Sequence, residues 1–185
     1  MMRGTVFGFA FGSSVALAVL LAPRSAHAFE RQWHVGGGVG LTAYPHYYAA
    51  GPALGLNGAY GISDVFDVKL ELLGGLNGYT APMSTVREHA APWSAVAGLS
   101  YKLDILQWIP YGALLVGYQH IGGRLPEGEV YRRNDALAAI VLGLDYAFSR
   151  DFGLGASIRT DFMLTSKEHG EAFTPMLRAE YHWGF

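Results

Sequence analysis

The sequence predicts an all-β protein, an eight-stranded antiparallel up-and-down barrel, and three observations predict it. Apolar and polar residues alternate with a period of two in eight stretches of the chain. Short turns and longer polar loops connect these stretches alternately, as in a meander of hairpins. An even number of antiparallel strands lets the first strand pair with the last, which removes both open edges of the sheet.

The amino-terminal segment is predicted to be a cleavable signal peptide, residues 1–28. Arg3 precedes an apolar run at residues 6–22, and a small-x-small cleavage motif ends with Ala26 and Ala28, so that the mature chain begins at Phe29. A transmembrane helix is the alternative, but a run of about 17 residues is shorter than the ~20 that a span needs. The barrel is therefore assigned to residues 29–185.

Composition excludes several classes of protein. The 185 residues include no cysteine, which excludes disulfides and an amino-terminal lipid anchor. With 13 Lys and Arg against 15 Asp and Glu, the charge balance gives no indication of a nucleic-acid partner. After residue 28 no continuous apolar run is long enough for a membrane helix, so the mature chain can enter a membrane only as strands.

The first four predicted strands, near residues 32–42, 52–60, 66–72 and 93–102, each have one apolar face and one small or polar face. The third has the sharpest pattern, because Asp67, Lys69 and Glu71 alternate with apolar residues. The four apolar faces are Trp33, Val35, Val39 and Leu41; Leu54, Leu56 and Tyr60; Phe66, Val68, Leu70 and Leu72; and Trp93, Ala95, Ala97, Leu99 and Tyr101.

The last four predicted strands lie near residues 108–119, 138–148, 152–164 and 173–185. The fifth strand alternates weakly because both of its faces are apolar or small, whereas the eighth alternates over its whole length. Their apolar faces are Leu114, Val116 and Tyr118; Ala138, Ile140, Leu142, Leu144, Tyr146 and Phe148; Phe152, Leu154, Ile158, Phe162 and Leu164; and Phe173, Pro175, Leu177, Ala179, Tyr181, Trp183 and Phe185.

Alternation alone also fits a soluble barrel with an apolar interior, so the composition of the polar face has to decide. That face consists mostly of small residues, whereas a water-exposed face carries many more charges. Facing lipid, each Arg or Lys would cost about 2–4 kcal/mol near the midplane. We therefore predict a transmembrane barrel with a salt-bridged interior. The interior charges are Asp67, Lys69, Glu71, Lys102, Asp145, Arg159, Asp161, Arg178 and Glu180.

Aromatic residues near the strand ends support the same orientation, since two aromatic girdles flank the apolar band of a membrane barrel. The rim at the short turns is predicted to hold Trp33, Tyr60, Phe66, Tyr101, Trp108, Tyr146, Phe148, Phe152, Tyr181, Trp183 and Phe185. The rim at the long loops is predicted to hold Tyr44, Tyr47, Tyr48, Tyr79, Trp93, Tyr118, Phe162 and Phe173.

These features together resemble the small eight-stranded outer-membrane β-barrels of the OmpA/OmpX type. The resemblance rests on the signal peptide, the eight strands, the strand from Pro110-Tyr111 to Gly117-Tyr118, and the ending at residues 181–185. It implies a monomer in the outer membrane of a Gram-negative bacterium, in contact with lipid and lipopolysaccharide. It also implies that Tyr181, Trp183 and Phe185 are the signal for the barrel assembly machinery. No peptidoglycan-binding domain follows the barrel in this sequence, so an anchoring role is not implied.

A structural or surface-interaction role is the preferred function. The loop at 122–134, with Arg124, Arg132 and Arg133, is a candidate contact for lipopolysaccharide phosphates or a partner protein. A narrow channel is the alternative, because the glycines of the first strand would leave lumen volume unfilled. These glycines are Gly36, Gly37, Gly38 and Gly40.

A lipid A-modifying enzyme is a further alternative, and it is less favoured. The loops predicted at the outer side contain His46, His89, His120 and His169, with Ser84, Ser166, Glu88 and Glu168 nearby. No His-x-Ser pair lies on a predicted strand, where a nucleophile and its base would be held rigidly. The spacing of the histidines does not converge on a metal site either, and no cofactor is expected.

Overall fold

The protein is a closed antiparallel β-barrel. The computed structural model describes residues 31–44, 48–80, 87–103, 105, 107–124, 130–165 and 170–184, and within these residues it contains strands and no helix long and apolar enough to cross a membrane. The strands are β1 (Trp33–Tyr44), β2 (Tyr48–Gly61), β3 (Phe66–Gly75), β4 (Asn77–Thr80), β5 (Arg87–Lys102), β6 (Trp108–Arg124), β7 (Val130–Ala147), β8 (Phe152–Met163) and β9 (Glu171–Trp183).

Strands that follow each other in the chain pair with each other, except β3 and β4, and β1 pairs with β9 to close the sheet. Both β3 and β4 pair with β5 in one continuous register, with Gly74 opposite Trp93 and Asn77 opposite Ala90. They are therefore two parts of one barrel strand, separated only at Leu76. Because β3 and β4 together count as one, the nine strands form a barrel of eight, and the predicted fold class is confirmed.

The strands continue further toward the long loops than the sequence pattern predicts. The β6–β7 ladder extends to the pair Arg124 and Val130, inside the segment predicted to be the loop 122–134. In the same way β5 begins at Arg87 and β2 at Tyr48. Beyond the lipid, hydrogen bonds within each hairpin still satisfy the backbone, but the outward-facing side chains there are in water and need not be apolar. The alternation of apolar and polar residues therefore ends before the strand pairing does.

The outer surface of the barrel is apolar and the inner surface is polar or small. Burial alternates residue by residue in β3, β8 and β9, and the exposed side chains include Leu56, Leu114, Leu142 and Leu177. On β6 the exposed Trp108 and Tyr118 are ten residues apart. At ~3.4 Å per residue and a tilt of ~40° they bracket a band about 26 Å high, the thickness of membrane that such barrels span.

One aromatic residue lies on the face opposite to its prediction. Tyr44 is buried in the barrel, where its hydroxyl oxygen accepts a hydrogen bond of 2.6 Å from Gln119 Nε2. It has the same parity along β1 as the inward-facing His34 and Thr42, so the period of two places it inside although its position near a strand end suggests a girdle. The side chains of Tyr47, Tyr48, Tyr79 and Phe185 lie outside those described.

The half of the interior nearer the long loops is packed with apolar side chains. Val96, Leu115, Ile121, Leu137 and Val141 are almost completely buried there. Leu115 explains the weak alternation of the fifth predicted strand, since β6 has an apolar residue inside as well as outside. The half nearer the short turns contains most of the charged residues.

Candidate functional site

The nine charged residues placed inside by the alternation pattern are all buried in the lumen of the barrel. They come from β3, β5, β7, β8 and β9, which surround the interior, and two further charged residues join them from β7. Among the described side chains of the lumen, six acids therefore face five bases. The acids are Asp67, Glu71, Asp135, Asp145, Asp161 and Glu180, and the bases are Lys69, Lys102, Arg133, Arg159 and Arg178.

Arg159 on β8 is the centre of the first group of ion pairs. Its Nε donates to Asp161 Oδ1 at 2.7 Å and its Nη1 donates across the barrel to Glu71 Oε1 at 3.1 Å. Its Nη2 donates to Ser94 Oγ on β5 at 2.9 Å. Lys69 Nζ lies 3.3 Å from the other oxygen of Glu71. One guanidinium thus ties three strands together through charge-assisted hydrogen bonds, which are the strongest of their kind.

Arg178 on β9 is the centre of the second group. It donates to Glu180 and to the hydroxyl oxygen of Tyr111, and its guanidinium carbon lies 4.8 Å from the centroid of the Tyr111 ring. Its Nε is 3.8 Å from Asp145 Oδ1. The Asn57 amide donates to Glu180 Oε1 at 2.7 Å. This group therefore joins β2, β6, β7 and β9.

Lys102 and Asp67 form a third ion pair nearer the short turns, with 2.7 Å between Lys102 Nζ and Asp67 Oδ2. Toward the long loops, Arg133 Nε donates to Asp135 Oδ2 at 2.7 Å. The sequence pattern missed this last pair because Arg133 was assigned to a loop. Asp135 shares the parity of the buried Leu137 and Val141 on β7, and that parity is the signal that could have found it.

The inward-facing glycines of β1 lie against side chains and backbone of β9. A Cβ at Gly36 would lie 2.6 Å from the Ala179 carbonyl oxygen and 2.7 Å from Glu180 Cγ, and one at Gly38 would lie 3.2 Å from Met176 Cε. Neighbouring side chains of β9 thus occupy the space that the glycines provide. Beside them is a cavity of about 20 Å³, lined in part by Gly38, Glu71 and Arg178, which is room for about one water molecule.

The loop histidines are only partly within the described residues. His89 is exposed, and His120 Nδ1 lies 2.6 Å from Asn134 Oδ1. His46, His169, Ser84, Ser166 and Glu168, as well as the side chain of Glu88, lie outside the described part of the chain. The residues that are described bring no serine against either histidine ring.

Of the predicted assembly signal, Tyr181 and Trp183 lie on the outer surface at the end of β9, with their rings stacked at 5.8 Å between centroids. Phe185 lies outside the described residues, as do Ala26, Ala28 and Phe29 of the predicted cleavage site. The stacked pair forms part of the aromatic rim at the short turns, together with Trp33 and Trp108.

A closed barrel with an apolar outer band, aromatic rims and an ion-paired interior is the architecture of an integral membrane β-barrel. The model of the family described as outer membrane protein beta-barrel domain matches residues 12–174. The chain belongs to this family, and the family places it in the outer membrane.

Solved structures of small outer-membrane barrels share the fold. Ail, the attachment invasion locus protein of Yersinia pestis, has a TM-score of 0.60 and 17% identity, over 83% of this chain and 99% of its own. OprG of Pseudomonas aeruginosa has a TM-score of 0.65 and 12% identity, over 86% and 99%. Neisserial surface protein A has a TM-score of 0.62 and 16% identity, over 83% and 96%. At such identities the likeness concerns the fold alone. None of the curated proteins matches the chain in sequence.

Proposed function

We propose that this protein is a closed outer-membrane barrel that acts through its surface loops, with the wall as an anchor and the lumen as a stabilising core. The observation that carries the proposal is the filled lumen, in which Arg159 connects three strands across the barrel. Apolar side chains such as Leu115, Ile121 and Leu137 fill the other half. Side chains that pair or pack with each other occupy much of the described interior, which supports interactions at the surfaces.

The β6–β7 hairpin is the loop element that we propose makes the contact. Its paired strands extend to Arg124 and Val130 and so project a rigid ladder beyond the apolar band. Arg132 is exposed on it, whereas Arg133 is engaged with Asp135. A guanidinium in this position suits an anionic ligand such as the phosphates of lipopolysaccharide. The related barrel Ail has been solved with a heparin analogue, sucrose octasulfate, which is also an anionic sugar.

Replacement of Arg132 by alanine is expected to weaken lipopolysaccharide binding by the detergent-solubilised barrel about tenfold, because a hydrogen bond to a charged group contributes about 1.5–3 kcal/mol. Binding would be measured by surface plasmon resonance at low and high salt. The control is Arg150→Ala in the turn between β7 and β8, at the opposite end, which should bind like the wild type. The role of the hairpin would be contradicted if both variants lost the same amount of affinity for lipopolysaccharide, or if neither variant lost any.

Planar-bilayer recordings test the closed lumen separately. The refolded wild-type barrel is expected to give no ion conductance above background. A steady conductance that changes on substitution of lumen residues such as Glu71 would support the channel alternative instead. Unchanged lipid A mass spectra on expression are expected as well, and modified lipid A would support the enzyme alternative.

We further propose that the chain is exported with a signal peptide that is cleaved between Ala28 and Phe29. We also propose that the barrel assembly machinery recognises Tyr181, Trp183 and Phe185. The exposure of Tyr181 and Trp183 on the outer surface at the end of β9 supports this proposal. Sequencing of the amino terminus of the membrane-inserted protein is expected to start at Phe29. Removal of Phe185 is expected to lower the amount of protein in the outer-membrane fraction, and an unchanged amount would refute its role.

A further inference from the structure

We propose that His34, Glu180 and His182 form a binding site for a divalent transition-metal ion, of which Zn²⁺ is the best suited, in the lumen beside the short turns. The two histidines are directly opposite each other in the β1–β9 pairing. Both rings point inward, and their centroids are 4.4 Å apart. Directly opposed residues have Cβ atoms about 4.5–5.5 Å apart, a separation that allows two imidazoles to reach one ion.

Glu180 completes the set because it lies two residues before His182 and therefore on the same face of β9. Its Oε2 is 3.4 Å from His182 Nε2, and one ligand atom from each of the three residues lies within 4.8 Å of the others. Two ligands at about 2.0–2.1 Å from a tetrahedral ion are about 3.4 Å apart. Small rotations of the side chains are therefore enough to place all three around an ion.

The carboxylate of Glu180 is oriented so that one oxygen is available for an ion. Asn57 Nδ2 and Arg178 both donate to Oε1, which leaves Oε2 directed toward His182. Hydrogen bonds that orient a ligand in this way are the usual second layer of a metal site. Arg178 and Asn57 would hold the carboxylate in place whether or not an ion is bound.

The charges around the site permit an additional cation. The described lumen side chains contain six acids against five bases, so one negative charge is left over when the histidines are neutral. Lys102 is the competing group, since its Nζ lies 3.4 Å from His34 Nδ1. Asp67 holds that ammonium at 2.7 Å, so the lysine is neutralised by its own partner. Zn²⁺ suits two imidazoles and a carboxylate, whereas Ca²⁺ and Mg²⁺ prefer oxygen ligands alone.

The position of the site suggests what the ion would do. His34 is the second residue of β1 and His182 is next to the last residue of β9, so the site connects the two strands that close the barrel, beside the end where an ion can enter. Three protein ligands leave a fourth position for water. A bound ion would join the closing strands and stabilise the folded barrel by an amount that grows with the logarithm of the ion concentration above its Kd.

Titration calorimetry on the tag-free barrel, refolded in detergent and treated with EDTA, tests the proposal with ZnCl₂ as the probe. The wild type is expected to bind one ion and to unfold at a higher temperature when it is bound. His182→Gln and His34→Gln should each weaken binding about tenfold or more, since even loss of a group that orients a ligand costs 10–100-fold. The double variant His89→Gln and His120→Gln, at the long-loop end, should bind like the wild type.

Folding of each variant is checked by its shift in mobility between unboiled and boiled samples in gel electrophoresis. Lys102→Gln is a further variant and should bind Zn²⁺ at least as tightly as the wild type, because it removes an ammonium that lies 3.4 Å from His34 Nδ1. The proposal is overturned if the folded wild-type barrel does not bind Zn²⁺. It is equally overturned if binding survives in both lumen variants or is lost in the long-loop double variant.

Discussion

Replacement of Arg159 by leucine is expected to lower the free energy of unfolding by about 3–5 kcal/mol, the usual cost of leaving buried charges without their partner. Its guanidinium is almost completely buried, and it supplies the hydrogen bonds to Asp161, Glu71 and Ser94. Without it, Glu71 keeps only Lys69 as an ion-pair partner, and Asp161 loses the ion pair that it makes with Arg159. Urea unfolding of the barrel refolded into lipid vesicles measures the loss.

A compensating variant separates the effect of unpaired charge from that of lost packing. In Arg159→Leu combined with Asp161→Asn, Glu71 keeps its ion pair with Lys69 and no acid is left without a base, so most of the lost stability should return. Arg132→Leu, on the exposed part of the β6–β7 hairpin, is the matched control and should change stability by less than about 0.5 kcal/mol. If Arg159→Leu were as stable as the wild type, the ion pairs could not be the stabilising core of the lumen.

Replacement of Leu114 by arginine has the second largest expected effect, about 2–4 kcal/mol of lost stability in a bilayer. Leu114 is 68% exposed near the middle of the apolar band, between Trp108 and Tyr118. An arginine at this position would face the hydrocarbon of the membrane without an acidic side chain to pair with. The measurement is again urea unfolding in vesicles of defined lipid.

The depth dependence of this cost provides the control. Leu103→Arg, in the turn that follows β5, is expected to cost only about 0–1 kcal/mol because that residue lies at the interface with water. A barrel whose outer face met water would tolerate both substitutions equally. Equal stability of Leu114→Arg and Leu103→Arg would therefore be incompatible with lipid around this face.

The filled lumen and the apolar surface are the basis of the proposed function. Its interior residues are committed to each other, as the contacts of Arg159 and Arg178 show. Contacts with external partners are then expected at the hairpins that project beyond the apolar band and near the two ends of the barrel. The proposed metal site and the proposed lipopolysaccharide contact lie at opposite ends, so each can fail without the other.

The number of strands and the face to which most side chains point follow from the pattern of residues along the chain. A period of two is a local property of extended backbone, so Asp67, Arg159 and Arg178 could be placed inside before any partner was known. It also placed Leu114 outside, although β6 has apolar residues on both faces. The prediction that Tyr44 belongs to an aromatic rim is wrong, because parity along β1 outweighs the preference of aromatic residues for strand ends.

Which inward residues meet depends on how the closed barrel arranges its strands in space. Arg159 and Glu71 are 88 residues apart and belong to strands that do not pair with each other, and their contact depends on the curvature of the closed sheet. The opposition of His34 and His182 requires closure between the first and last strands in one particular register. Register is set by hydrogen bonding and packing around the whole barrel. For this physical reason alternation along one strand predicts a face and cannot predict a partner.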